Sequence, residues 1–358
     1  MKDSTWDAYD TAWRLWSRWC EAEGHPVFLF PDDLPKSRET FFAFLVDQRD
    51  IRKNAANTLT GKKAAISFRF KYFNFPDPTQ WFLIDQFLKG VRKSDGGTAV
   101  IRKLPVGRRH LLEARGRCRL DARWGTALWA SLMLGYFFVL RANNCAAPDA
   151  RDYDPGRVIS RQDVAFFAGT TRVLLTTTTA PSITSVCLRI KSTKTDQLGK
   201  GFERDMYTNS DAELCVVKAL VQHLLLTSNL PDDWPIAAYD PDRGGRTKAG
   251  GVIKRKHMAD ILKAAGKALG ESMEGFGSHS LRIGGATALH MQGVPDSWIM
   301  WFGNWSSPTY LIYCRASSSM SLDFSEKMAS ADVRVQQGDV DEQALRQSIP
   351  LYGGRKAF

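Results

Sequence analysis

The chain has 358 residues, too many for one small module and enough for two cores of ~100 to 200 residues each. Hydrophobic residues make up 44% and charged residues 24%, with 11 tryptophans, which excludes a disordered or fibrous chain. Lysines and arginines number 49 against 38 acids, and the net charge of +11 favours a polyanionic partner, with nucleic acid first among them.

The N-terminal segment reads as helices. Trp6, Tyr9, Trp13, Trp16 and Cys20 recur at spacings of three and four, and Ser4 with Asp7 resembles a capping box. Pro31 and Pro35 precede a second helical run from about Ser37, with Phe41, Phe44, Leu45 and Ile51 on its apolar side. A third run from about Asn54 mixes Lys62, Lys63, Arg69 and Lys71 with Ile66, Phe68, Phe70, Tyr72 and Phe73, and stops at Pro76 and Pro78. A fourth spans Thr79 to Lys93. Residues 1–103 are therefore expected to be a small all-α domain. From Gly96 to Arg109 glycine, proline and basic residues suggest an exposed linker, and the domain boundary is placed there.

Residues 104–330 are read as a second, mixed α/β domain. A strongly apolar helix is expected from Arg123 to Arg141, and β-rich runs at Val164 to Phe167, Arg172 to Thr179 and Val186 to Ile190 suggest a small antiparallel sheet. Helices resume at about Asp211, and residues 331–358 form a polar tail. The fold class expected is mainly α with a small antiparallel β-sheet. Charge is shared: residues 1–103 carry 17 basic and 13 acidic groups, and residues 104–330 carry 28 and 21. Such a distribution suits two domains that grip a polyanion, with Lys62, Lys63, Arg69, Lys71, Arg102, Arg108 and Arg109 on its phosphates.

No run approaches the ~18 apolar residues of a membrane span, and the N-terminus lacks an apolar signal core, so no membrane partner is expected. The 6 cysteines show no C-x-x-C spacing, and the 6 histidines form no H-E-x-x-H cluster, which predicts reduced thiols and no metal. No phosphate-cradling glycine loop implies a nucleotide, so no cofactor is expected.

The chemistry concentrates in a few short motifs. Ser278-His279-Ser280-Leu281-Arg282 puts a histidine and an arginine three apart, on one face if helical, with Gly284, Gly285 and Ala286 permitting close packing behind them. Downstream come Gly303-Asn304-Trp305-Ser306-Ser307, Tyr310 and Tyr313-Cys314-Arg315; upstream stand Leu140-Arg141-Ala142-Asn143-Asn144 and the basic turn Lys191-Ser192-Thr193-Lys194-Thr195. Taken singly, each has a bland reading: Arg141 as a helix cap, Lys194 as one of several solvated lysines, Trp305 as core.

In this order the motifs resemble the tyrosine recombinase/integrase family, and within it the Cre-like and eukaryotic Crypton or DIRS-type transposon recombinases. The resemblance runs from the helical N-terminal domain, residues 1–103, which it implies is a DNA-binding one, through Arg315. It implies a mixed α/β tyrosine-recombinase catalytic domain in which Arg141, Lys194, His279, Arg282, Trp305 and Tyr313 are catalytic, with Tyr313 favoured over Tyr310 as nucleophile. It implies a site-specific DNA recombinase or transposon integrase that works through a 3′-phosphotyrosine without metal or ATP. Its partner would be double-stranded DNA, bound as a homo-tetramer, with a monomer or weak oligomer when free. Its place would be the nucleus in a eukaryotic host and the nucleoid otherwise. A catalytically silent DNA-binding relative is the alternative, and a type IB topoisomerase a more remote one. Two departures stand out. Asn144 falls where the family has Glu or Asp, and Tyr313 follows Trp305 by one residue fewer than in Cre-like proteins.

The chemistry agrees with these roles. A phenol attacking a phosphodiester builds charge on non-bridging oxygens, which always-charged guanidinium forks can hold. His279 suits proton handling at the phenol and Lys194 donation to the leaving 5′-oxygen, while Trp305 can offer only an indole N–H or packing.

Overall fold

A computed structural model describes residues 3–96, 103–192, 201–240, 251–305, 307 and 310–311. The chain divides into two compact units, Met1–Val100 and Ile101–Phe358.

The first unit is four helices: α1 (Asp3–Ala22), α2 (Leu34–Asp50), α3 (Ala56–Tyr72) and α4 (Phe82–Asp95). The three-four spacing of aromatic residues on α1 does what it predicts, sealing Trp16 and Cys20 completely in a core with Phe41, Phe44, Leu45, Leu59, Ile66, Phe70 and Ile84. Trp6, further out, meets Phe68 edge-on at 5.4 Å. Helix starts are fixed by carboxylates. Asp33 accepts from Lys36 N–H at 3.0 Å, and Asp95, at the end of α4, accepts from Ala56 N–H at 2.7 Å across the bundle. Because α1 begins at Asp3, Ser4 lies inside the helix rather than capping it.

The second unit is mixed. Helix α5 (Arg108–Arg117) leads to α6 (Arg123–Phe137), buried on every side from Gly125 to Gly135, and to the single turn α7 (Ala142–Cys145). Strands β1 (Val164–Ala168), β2 (Thr171–Val173), β3 (Ser185–Ile190) and β4 (Phe202–Tyr207) form an antiparallel sheet in the order β2-β1-β3-β4. Then follow α8 (Val216–Leu226), the short pair β5 (Ala238–Tyr239) and β6 (Gly251–Val252), α9 (Arg255–Ala268), α10 (His279–Met291) and α11 (Asp296–Gly303). Mainly α with a small antiparallel sheet, here joined by the separate β5–β6 pair, is the class the sequence predicts.

Three expectations need correction. The stretch read as an exposed linker is packed where it is described. Leu104 N–H donates to Gly275 O at 2.7 Å, Val106 N–H to Ser280 O at 3.1 Å, and Val106 is buried. Its flanking basic residues mask a Leu-Pro-Val core segment, and Arg108 and Arg109 open a helix instead of ending a linker. The apolar helix stops at Phe137, short of Arg141, because Val139 turns the chain with φ +51°. The strand expected from Arg172 to Thr179 ends at Val173, since Thr176 and Thr179 bond each other in a turn. Arg102 and residues 331–358 lie outside the described residues.

Candidate active site

The site is built where α6, α10 and α11 end or begin. His279 is the first residue of α10 and Arg282 lies one turn on, so the two share a face. Glycine sets how close that helix comes to its neighbours. A Cβ on Gly284 would stand 2.0 Å from Val106 O, and one on Gly285 would stand 2.2 Å from Tyr136 O. At Gly285 no side chain fits between α10 and the last turn of α6.

That turn ends in an unusual conformation. Val139 is β-branched, yet it lies in the left-handed region (φ +51°), where such residues are strained. The turn aims Val139 O at Arg282, whose Nη1 donates to it. Arg282 Nη2 donates to Gly303 O at 2.8 Å, the last carbonyl of α11. Arg282, only 4% exposed, thus joins the turn after α6 to the carbonyl end of α11. Its carbon also sits 4.1 Å from the centroid of the Trp305 ring.

Trp305 reaches that position through a tight helix end. Asn304 is left-handed (φ +50°), Asn304 N–H donates to Trp301 O at 3.2 Å and Trp305 N–H to Met300 O at 2.9 Å. Gly303 is required by the packing, since a Cβ there would stand 1.8 Å from the indole. The indole meets Tyr310 at 5.7 Å, and Tyr310 is completely buried.

Arg141 opens α7 in an extended conformation, just after the Val139 turn. Its charge is felt at His279. Burial first, then Arg282 and Arg141, hold that imidazole below its ordinary pKa. At physiological pH His279 is neutral and able to take a proton. At Asn144 the side-chain Nδ2 donates to Arg157 O at 2.7 Å and the backbone carbonyl accepts from Ile159 N–H at 3.0 Å, which fastens α7 to a neighbouring loop.

Of the hairpin between β3 and β4, the base is described. Lys191 Nζ lies 2.7 Å from the buried carboxylate of Asp163 and 3.1 Å from Ser160 Oγ, and Ser192 Oγ donates to Gly156 O at 2.7 Å. Lys191 is thereby occupied as a strut. Lys194 and Tyr313 lie outside the described residues, so the structure brings together Arg141, His279, Arg282 and Trp305 among the six candidates.

The phosphate-contact candidates divide by exposure. In the first unit Lys62 Nζ donates to Gln48 Oε1, Lys63 pairs with Asp85 at 2.6 Å, Arg69 with Asp10, and Lys71 with Asp77 at 3.4 Å. In the second, Arg108 pairs with Asp211 at 2.6 Å and Arg109 with Glu271. Lys63 and Arg69 keep only 16% and 15% of their side chains exposed, against 62% to 67% for Lys71, Arg108 and Arg109. The second group can turn to a phosphate at little cost, because exposed ion pairs contribute ~0 to 1 kcal/mol.

The sequence reading misses Arg204 altogether. It projects inward from β4 and is 7% exposed, with Nη2 donating to Trp301 O at 2.5 Å and Nε to Phe302 O at 3.4 Å. The signal available was an arginine at an inward position of an alternating strand. The charged run Glu203-Arg204-Asp205 hid the strand itself.

No known protein family's sequence pattern matches the chain, and no curated protein matches it either. The fold, by contrast, is that of the tyrosine recombinases and integrases. The solved structure of the Tn1549 transposon integrase in complex with transposon right-end DNA is similar over 92% of this chain and 95% of that one, with a TM-score of 0.50 at 13% identity. The XerH site-specific recombinase bound to its difH substrate gives 0.49 at 15% identity over 82% and 71% of the two chains. A lambda integrase dimer bound to a core site gives 0.46 at 13% over 94% and 93%. At 13% identity the likeness to the Tn1549 integrase establishes the fold and leaves the chemistry to the residues.

Proposed function

We propose that this chain is a site-specific DNA recombinase or transposon integrase that cleaves and rejoins double-stranded DNA through a 3′-phosphotyrosine on Tyr313. The observation that carries the reading is the pairing of a buried guanidinium, Arg282, oriented by two backbone carbonyls, with a histidine one turn before it whose pKa is lowered and a second arginine, Arg141, close enough to contribute to that lowering. Such a set holds a phosphate and moves a proton, which are the two needs of phosphoryl transfer to a phenol.

In the proposed reaction the Tyr313 phenol gives its proton toward His279 as its oxygen attacks phosphorus. Arg141 and Arg282 hold the charge that develops on the non-bridging oxygens, Lys194 protonates the departing 5′-oxygen, and Trp305 packs the Arg282 fork in place. The phosphotyrosine conserves the bond for rejoining, so neither metal nor ATP is called for. The working assembly on this reading is a homo-tetramer on two DNA segments, in the nucleus of a eukaryotic host or the nucleoid of a bacterial one.

Covalent trapping tests the reading. A target is enriched from random duplexes, nicked, and incubated with the protein; denaturing electrophoresis then reads the adduct. Wild type and Tyr310→Phe are expected to form it and Tyr313→Phe to bind DNA without forming it, since loss of one oxygen removes the nucleophile and keeps the ring. Complete burial of Tyr310 against Trp305 argues the same way. No adduct from wild type on its own target would favour the silent DNA-binding relative.

A further inference from the structure

On the recombinase reading, the parts of the site that must stay aligned with Arg282 are Gly303 O and the Trp305 ring, and both hang on the last turn of α11. Three successive carbonyls end that helix. Gly303 O accepts from Arg282, while Trp301 O and Phe302 O accept from Arg204, which reaches across from β4. The Arg204 guanidinium carbon is also 3.7 Å from the Trp301 ring centroid and 4.3 Å from that of Phe202. A planar fork sandwiched by two rings is a stiff connection, and a lysine could not reproduce it.

Arg204 sits opposite Leu188 on β3. The four-stranded sheet is therefore fastened, through Arg204, to the helix end that seats Trp305 on Arg282. The left-handed Asn304 closes that end by bringing its own N–H to Trp301 O and that of Trp305 to Met300 O, while Phe302 O and Gly303 O take donors from the two arginines. We propose that Arg204 is a positioning residue: it fixes the end of α11 so that Gly303 O and Trp305 set the orientation of the Arg282 fork. This role rests on the recombinase reading for its consequence in catalysis and on the geometry alone for its effect on α11.

Two arms of one experiment separate those parts. In the free full-length protein, amide hydrogen exchange is measured for Arg204→Met, which keeps length and apolar bulk, and for Arg204→Lys, which keeps the charge. Asn304 and Trp305 amides, bonded to Trp301 O and Met300 O, are expected to exchange at least tenfold faster in Arg204→Met and by an intermediate factor in Arg204→Lys. Amides in the middle of α6 and α8 should stay within twofold. Unchanged protection at Asn304 and Trp305 would overturn the proposal; so would an equal loss in α6 and α8 in both variants, which would make Arg204 a general structural residue. In the second arm, DNA affinity should stay within twofold while the first-order rate of adduct formation at saturating DNA falls at least tenfold in Arg204→Met and is partly restored in Arg204→Lys. A normal adduct rate with loosened α11 amides would refute the positioning of Arg282. An absent adduct in wild type would sink the recombinase reading, and the exchange arm would still decide what Arg204 does to α11.

Discussion

Gly285→Ala is the most direct probe of how this site is assembled, because it adds one methyl group and needs no DNA target. The new Cβ would stand 2.2 Å from Tyr136 O and 3.2 Å from Val139 Cγ2. An ordinary contact needs more than 3 Å, so α10 and the end of α6 must separate by about 1 Å, and backbone cannot swing aside as a side-chain tip can. Overpacking of this kind costs about 1 to 3 kcal/mol. Alanine's better helix propensity returns at most ~1 kcal/mol. A clash with backbone puts the cost at the upper end of that range, so the net loss is about 2 kcal/mol, which in a unit of this size lowers Tm by roughly 4 to 8 °C. Gly90→Ala is the internal control: it lies in α4 with nothing within 4 Å of its Cβ position, so the propensity gain should appear there unopposed. Differential scanning calorimetry of the two variants beside wild type reads both. On a DNA target, Gly285→Ala should also slow adduct formation, since His279 and Arg282 ride on the displaced helix. If Gly285→Ala unfolded at or above the wild-type temperature, the tight seating of α10 on α6 would be wrong.

His223 is wholly buried, with Nε2 on Ile236 O at 2.8 Å, and burial takes its pKa down to about 4. The unfolded chain then binds the proton first, so this stability is complete above pH 6.5 and is lost as pH falls from 6.5 toward about 4. The loss is about 3 kcal/mol at 1.36 kcal/mol per pH unit. Urea unfolding at pH 7 and pH 4.5 should show it, and His223→Gln should flatten the difference; equal pH dependence in both proteins would contradict it. His279 is likewise held below its ordinary value, so adduct formation should be level from pH 8 to below 6.5 and decline only at lower pH, where a decline starting above 7 would argue against a neutral histidine as proton acceptor. DNA binding should weaken steeply with salt. Replacing Arg108 or Arg109 by Ala should reduce the log-log slope by about one, whereas Arg69→Ala, whose side chain is 15% exposed in its pair with Asp10, should lower stability and leave the slope nearly unchanged; equal slope changes for all three would erase that distinction.

What the sequence determined by itself was local. The three-four stripe on α1 and the face shared by His279 and Arg282 are consequences of helical geometry over a few residues, and the structure has both, whereas what Gly284 and Gly285 pack against is set by residues far away in the chain. The motifs that resemble the recombinases sit at a few positions, and their spacing along the chain could be read without knowing what each residue touches. Tertiary structure decided the partners. Arg282 meets Val139 O across 143 residues and Arg204 meets Trp301 O across 97, far outside any window in which periodicity is visible. The end of α6 was misplaced because Phe138, Val139 and Leu140 continue its apolar text while a left-handed backbone turns the chain away. The basic residues of α3 and α5 looked alike in sequence, and only folding assigned Asp10 and Asp85 to bury two of them and left Arg108 and Arg109 in water. Asn144 is a departure from the family's Glu or Asp that the sequence shows, and only the fold gives its side chain a partner, Arg157 O. A charge or an amide has no partner written beside it in the chain, because hydrogen bonds and ion pairs are satisfied by whatever the packed fold brings within 3 Å.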